Sequence, residues 1–170
     1  VPVQQISNGG APLDPITSSQ YEVGFKYEPI GWNTAITASI YDLRKKDDTY
    51  FDATTSTYRQ VGESRSKGVE LEVNSDISQN LNVTASYSYT DARVTKDAAG
   101  SLIEGHQITG VPRNQASAWA KYRFLDGYLN GFHVGAGIRY FDSAFSYTPA
   151  ALYGKLDAGD VTLVDANVGY

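Results

Sequence analysis

Between Asn80 and Val94 the sequence NLNVTASYSYTDARV alternates with a period of two. Leu81, Val83, Ala85, Tyr87 and Tyr89 share one parity, and Asn82, Thr84, Ser86, Ser88 and Thr90 share the other. That is the period of a β-strand, whose successive side chains point to opposite faces. It leaves open which face is covered. In a soluble sandwich the apolar parity packs into a core, whereas in a membrane barrel it faces lipid and the polar parity lines a lumen.

The same alternation, bounded by Gly, Pro, Asn and Asp, predicts seven strands and no helix: QYEVGFKYE, TAITASIYDLRKK, SKGVELEVNSDI, LNVTASYSYTDARV, NQASAWAKYRF, FHVGAGIRYF and DVTLVDANVGY. The connections between them alternate in length. PIGWN, SQN and LDGYLNG are short, and DDTYFDATTSTYRQVGES, TKDAAGSLIEGHQITGVPR and DSAFSYTPAALYGKLDAG are long. Long connections at one end only are unusual in compact soluble domains, where loops beyond about 12 to 15 residues are uncommon. Outer-membrane barrels have short periplasmic turns and long extracellular loops.

The charges follow the same division. Ala116, Ala118, Ala120, Tyr122 and Phe124 oppose Gln115, Ser117, Trp119, Lys121 and Arg123, and Val69, Leu71 and Val73 oppose Glu70, Glu72 and Asn74. Phe132, Val134, Ala136, Ile138 and Tyr140 oppose His133, Gly135, Gly137 and Arg139. Like charges at Lys121 and Arg123 suit an aqueous or plugged lumen, because burying them unpaired in a core is costly. Tyr21, Tyr27, Tyr87, Tyr89, Phe124, Tyr140 and Tyr170 gather toward strand ends, where the aromatic girdles of a barrel lie.

Composition adds less. The 170 residues include no Cys, which removes disulfide frameworks, thiolate metal sites and cysteine nucleophiles. No apolar run is long enough for a transmembrane helix, which a barrel does not need. The net charge is −5 with scattered cations, so no nucleic-acid footprint is present. A start at VPVQQ, without Met or a signal-peptide pattern, reads as a chain processed or taken from a longer one.

The segments QYEVGFKYEP, YRQVGESRSKGVELEV, LNVTASYSYTDARVTKD, VPRNQASAWAKYRF and VTLVDANVGY resemble, in order, late barrel stretches of TonB-dependent ferric-siderophore receptors of the hydroxamate type, such as those for ferrichrome and ferrioxamine. The resemblance runs from about Asp14 to Tyr170. It implies an all-β fold: an antiparallel transmembrane β-barrel segment supplying about seven strands of a barrel of about 22. Residues 1–170 would then be part of the C-terminal β-barrel domain, with the plug domain, the TonB box, the early strands and the final hairpin outside this chain. The implied function is TonB-dependent uptake of a ferric siderophore across the bacterial outer membrane. The implied partners are that siderophore, TonB acting through the missing plug, and outer-membrane lipid. Iron enters only as the bound ferric siderophore, not as a cofactor.

Three alternatives stay open on the residues. VPVQQIS supplies an eighth strand of a small complete barrel; the chain is a passive porin; or it is a soluble β-sandwich binding module. An enzyme is not indicated. His106 falls in a long loop and His133 on a strand, and Ser64 and Ser66 near Glu63 have no triad pattern. The acidic groups Asp47, Asp48 and Asp52, and Asp157 and Asp160, lack the spacing of a calcium loop. GAGI from Gly135 to Ile138 reads as strand, not phosphate cradle. The candidate ligand contacts are loop aromatics, Tyr50, Phe51, Tyr58, Phe145, Tyr147 and Tyr153, with Arg59 and His106 beside them.

Overall fold

A computed structural model describes residues 14–47, 49–52, 57–60, 62–96, 104–147 and 155–170; at 49–52, 57–60, 145–147 and 155–156 it describes the backbone alone. Seven long strands carry the fold: β1 (Thr17–Tyr27), β2 (Thr34–Lys46), β5 (Glu63–Asp76), β6 (Leu81–Lys96), β7 (Asn114–Arg123), β8 (His133–Phe141) and β11 (Val161–Gly169). Two small hairpins lie within long connections: β3 (Thr49–Asp52) with β4 (Thr57–Gln60), and β9 (Phe145–Tyr147) with β10 (Lys155–Asp157). The seven long strands form one antiparallel sheet in the order β1-β2-β5-β6-β7-β8-β11, each pairing only with its neighbours in the chain.

This single layer is not the soluble sandwich. Among the described residues no second sheet covers either face, and Ala92 and Val94 are the only buried hydrophobic residues. A soluble domain of this size would bury far more of its apolar surface. The apolar parity is instead laid out as an exposed band. In register across the sheet, Tyr27, Ile36, Val73, Ala85, Ala118, Ile138 and Val164 form one row of it, and Phe25, Ala38, Leu71, Tyr87, Ala116, Tyr140 and Thr162 the next. From Leu81 to Tyr89 the band spans about 27 Å of strand, or about 20 Å in height at a barrel tilt, near the roughly 25 Å lipid-facing belt of such proteins.

Aromatic rings mark the short-turn end of the band. Tyr122 meets Phe124 edge-on at 5.0 Å between centroids, and Phe132 meets Tyr170 at 4.7 Å. The turns there are closed locally. Trp32 N–H donates to Pro29 O across Gly31, whose φ of 82° requires a residue without Cβ strain. The Ser78 hydroxyl accepts from the amides of Asn80 and Leu81. A single 3₁₀ turn, Gly127–Leu129, occupies the connection from β7 to β8.

The VPVQQIS segment lies outside the described residues. The strands match the alternation closely, β2 residue for residue, but β1 and β5 start earlier, at Thr17 and Glu63. There the strands pass above the apolar band and are polar on both faces, so the alternation that announces them is absent.

Candidate functional site

The polar parity forms the opposite face, and that face is hollow. A depression of about 390 Å³ is bordered mainly by residues of the polar parity, Thr37, Ser39, Glu70, Glu72, Ser86, Ser88, Gln115, Ser117, Arg139 and Phe141, with Leu71, Tyr87 and Ala116 of the other parity between them. Its central row is fixed by register: Lys26, Thr37, Glu72, Ser86, Ser117 and Arg139 lie side by side across six strands. The Ser86 and Ser117 hydroxyls bond at 2.8 Å. The Arg139 guanidinium donates to one oxygen of Asp165 at 3.0 and 3.1 Å.

A second hollow, of about 270 Å³, sits at the short-turn end beside Asp76, Asn82, Lys121 and Arg123. There the Asn82 amide donates to Asn74, to the Ser75 carbonyl and to Asp76 at 3.1, 3.4 and 2.9 Å. Indole and glycine interlock on the same face. A Cβ on Gly135 or Gly137 would stand 2.5 or 2.4 Å from ring atoms of Trp119, so the missing side chains are what let the ring lie over β8. These are surfaces suited to contact and hydration. His133 lies against Gly169 at the short-turn end, and His106 belongs to a long connection at the other. Glu63, next to Ser64 in sequence, binds Lys96 at 2.8 Å on the opposite face of the sheet.

All three long connections leave from one end of the sheet. The middle one folds back along β6 as a strap: Ile108 N–H donates to Ala92 O, Val94 N–H to His106 O, and Gly105 N–H to Val94 O. Gln107, nearly buried, donates to Val111 O at 2.7 Å. Carboxylates pin the last connection. Asp160 accepts from Ser143 N–H at 3.1 Å and from the Tyr140 hydroxyl at 3.2 Å, and Asp157 accepts from Gly159 N–H at 2.9 Å.

Asp142 accepts from the Asn114 side-chain amide and from Ser143 N–H, both at 2.7 Å. Those donors, the Asn114 amide first, hold its carboxyl below the ordinary carboxylate range. A depressed carboxylate stabilises the folded form above its unfolded pKa and loses that contribution as pH falls through the folded value. Acidification below about pH 4 is therefore expected to weaken the hold of Asp142 on Asn114 and Ser143, leaving Ser143 N–H only its longer bond to Asp160, read as faster amide exchange there than at β-ladder amides of β8.

The candidate ligand-contact aromatics belong to these connections. Tyr50 and Phe51 lie on β3 and Tyr58 on β4, with Phe51 opposite Tyr58 and Tyr50 opposite Arg59 in register. Phe145 and Tyr147 lie on β9, opposite Asp157 and Lys155. Tyr153 is outside the described residues. The polar anchors Asn82, Asn114 and Asp142, absent from the sequence-based candidates, are side chains whose partners become visible only with the register.

Residues 2–170 match the family model described as TonB dependent receptor-like, beta-barrel. The chain is 37% identical over 172 residues to the ferrioxamine B receptor of Salmonella typhimurium, covering 99% of this chain and 23% of that protein. It is 37% identical over 170 residues to the ferrichrome outer membrane transporter/phage receptor of Escherichia coli, covering 99% and 22%. Among solved structures, the ferric yersiniabactin uptake receptor of Yersinia pestis superposes with a TM-score of 0.74 at 18% identity, over 94% of this chain and 23% of that one. The chain thus spans less than a quarter of the length of the relatives it matches.

Proposed function

The chain belongs to the TonB-dependent receptor β-barrel family, and from that premise we propose that it is part of the wall and extracellular rim of an outer-membrane receptor that takes up a ferric siderophore of the hydroxamate class. The observation that carries this reading is the division of one sheet into an exposed apolar band and a hollow polar face, with every long connection at one end. An outer-membrane barrel needs that division, since lipid-exposed backbone must be paired in strands and the lumen must be wet. The names of the two relatives, for ferrioxamine B and ferrichrome, support the hydroxamate class. Iron is cargo, held by the siderophore.

In this reading the protein's work is binding and gating. The loops recognise the compact ferric complex from outside. The polar face, with Glu70, Glu72, Ser86, Ser117 and Arg139, bounds the space in which a plug domain sits and through which the ligand passes once TonB acts on that plug. Nothing in the reading asks the chain to make or break a bond.

The test is direct binding to the full-length receptor in detergent, followed by quenching of intrinsic fluorescence. Ferrioxamine B or ferrichrome is expected to bind saturably and a ferric catecholate far more weakly; permeation of small solutes without saturable binding would make the protein a passive porin. Replacing the contacting ring among Tyr50, Phe51, Tyr58, Phe145, Tyr147 and Tyr153 by Ala is expected to weaken binding by about 1 to 2 kcal/mol, as loss of one aromatic anchor does. Six variants that all bind like the parent would assign recognition to other parts of the receptor.

A further inference from the structure

The connection from β7 to β8 reads LDGYLNG and holds two dipeptides whose backbones can cyclise, Asp126–Gly127 and Asn130–Gly131. In each, the glycine nitrogen can attack the side-chain carbonyl carbon of the residue before it, because glycine carries no side chain to hinder the approach. Asn130 is the more reactive of the two, since a neutral amide is a better electrophile than a carboxylate. Both Asp126 and Asn130 are exposed, so water reaches any ring that forms there.

The fold treats the two glycine nitrogens differently. Gly131 N–H donates to Phe124 O at 3.0 Å, and the same turn is closed on either side by Asn130 N–H to Gly127 O at 3.2 Å and Phe132 N–H to Leu129 O at 2.9 Å. Gly127 N–H has no acceptor among the described residues. Glycine is itself required at 131: its φ is 93°, and a Cβ there would stand 3.0 Å from the ring of Tyr170. The turn thus depends on the residue that makes Asn130 labile. Its hydrogen bonds in return hold the nitrogen that would attack.

We propose that Asn130 is a latent deamidation site, closed while the β7–β8 turn is formed and open in any chain that has not yet folded. In the unfolded chain the Gly131 nitrogen bonds to Asn130 Cγ, and the side-chain nitrogen leaves as ammonia, taking the amide proton with it. Water then opens the ring at one of its two carbonyls. Opening at Cγ leaves an ordinary aspartate, whereas opening at the main-chain carbonyl leaves an isoaspartate, whose backbone runs through Cβ and Cγ. The added methylene falls between Asn130 Cα and Gly131 N, inside the loop that the Gly131–Phe124 bond closes. Hairpin register follows loop length, so an isoaspartyl turn no longer sets Arg123 opposite His133 or Phe124 N–H on Phe132 O. The turn is in effect a clock on folding, and it runs whatever ligand the receptor carries.

The full-length receptor, folded in detergent or unfolded in guanidinium chloride, is aged at neutral pH in water enriched in heavy oxygen. Mass spectrometry of the tryptic peptide Phe124–Arg139, which carries both sites, then reads the outcome. Acid bearing heavy oxygen is expected at Asn130 at least about tenfold faster in the unfolded chain, the factor that a local opening cost of about 1.4 kcal/mol gives. Asp126, measured against its own unfolded rate, is expected to be protected less, because Gly127 N–H is unbonded. Equal rates at Asn130 in the two states overturn the latency, and equal protection at the two sites overturns the part given to the Gly131 bond. Refolding reads the consequence. After ageing unfolded, Asn130→Gln, whose longer side chain cyclises far more slowly, is expected to give more heat-modifiable, folded receptor than the parent; equal yields overturn the clock. If Asn130→Gln fails to fold when fresh, Asn130→Ser, with no carbonyl to attack, makes the same comparison. Fresh Asn130→Asp carries the charge without the methylene and is expected to refold like fresh parent, since the Asn130 side chain forms no hydrogen bond among the described residues. A loss as large as that of the aged parent would assign the damage to charge and overturn the register argument.

Discussion

Ala118→Arg is expected to destabilise the folded receptor by about 2 to 4 kcal/mol, while Ser117→Arg, one residue away, costs far less. Ala118 is exposed, in the middle of the apolar band, flanked in register by Ala85 and Ile138. A guanidinium there must sit in hydrocarbon or bend several ångströms toward water. Ser117 points the other way, into the hollow of about 390 Å³ that Glu70 and Glu72 border. An arginine there loses the Ser86 hydroxyl bond and gains a neighbour of like charge at Arg139, but it stays in water and near two carboxylates. Urea titrations of refolding into lipid vesicles measure both costs, and a reversed order would mean that the two faces have been exchanged.

Gly68→Val is expected to cost about 2 to 3 kcal/mol, the upper range for forcing added bulk into a packed site. A Cβ on Gly68 would stand 2.2 Å from the carbonyl oxygen of Tyr89 and 2.8 Å from the hydroxyl of Tyr41. The first neighbour is backbone and cannot swing aside. The second lies across the glycine to bond the Thr90 hydroxyl at 3.0 Å, so one ring ties β2 to β6 over β5. The valine therefore parts two ladders and breaks that tie. Tyr41→Phe, which removes only the hydroxyl, is expected to cost about 0.5 to 1.5 kcal/mol, and equal losses for the two variants in the same titration would show that the hydrogen bond, not the crowding, dominates.

The strands were legible because lipid and water impose a period of two on any segment that separates them. TAITASIYDLRKK predicts β2 to its last residue, and GAGI is strand, paired through Gly135 and Gly137 to Lys121 and Trp119. What the sequence hid depends on partners far along the chain. The strap at residues 104–108 exists because β6 outruns β7 and leaves its upper edge unpaired, which no local pattern in LIEGHQITG announces. The small hairpins β3–β4 and β9–β10 are too short for alternation to register. Gly68 beneath Tyr41, and Gly135 and Gly137 beneath Trp119, look like weak strand positions in sequence and become fitted surfaces only once the register is known. The loop aromatics stand out by composition alone, because a loop has no periodicity to read.

The strand order, in which each strand pairs only with those before and after it in the chain, also bears on how the wall is built. Pairings between chain neighbours close small loops and favour rapid local zippering, so the sheet can lengthen one hairpin at a time. Each such step, however, ends with an uncovered edge, as β1 and β11 are among the described residues, and an uncovered edge is a template for pairing with any other chain. The partly built wall is therefore at its most aggregation-prone just when its local geometry is already correct, so the hazard in its biogenesis lies in the interval before the last edges meet rather than in the formation of any single strand.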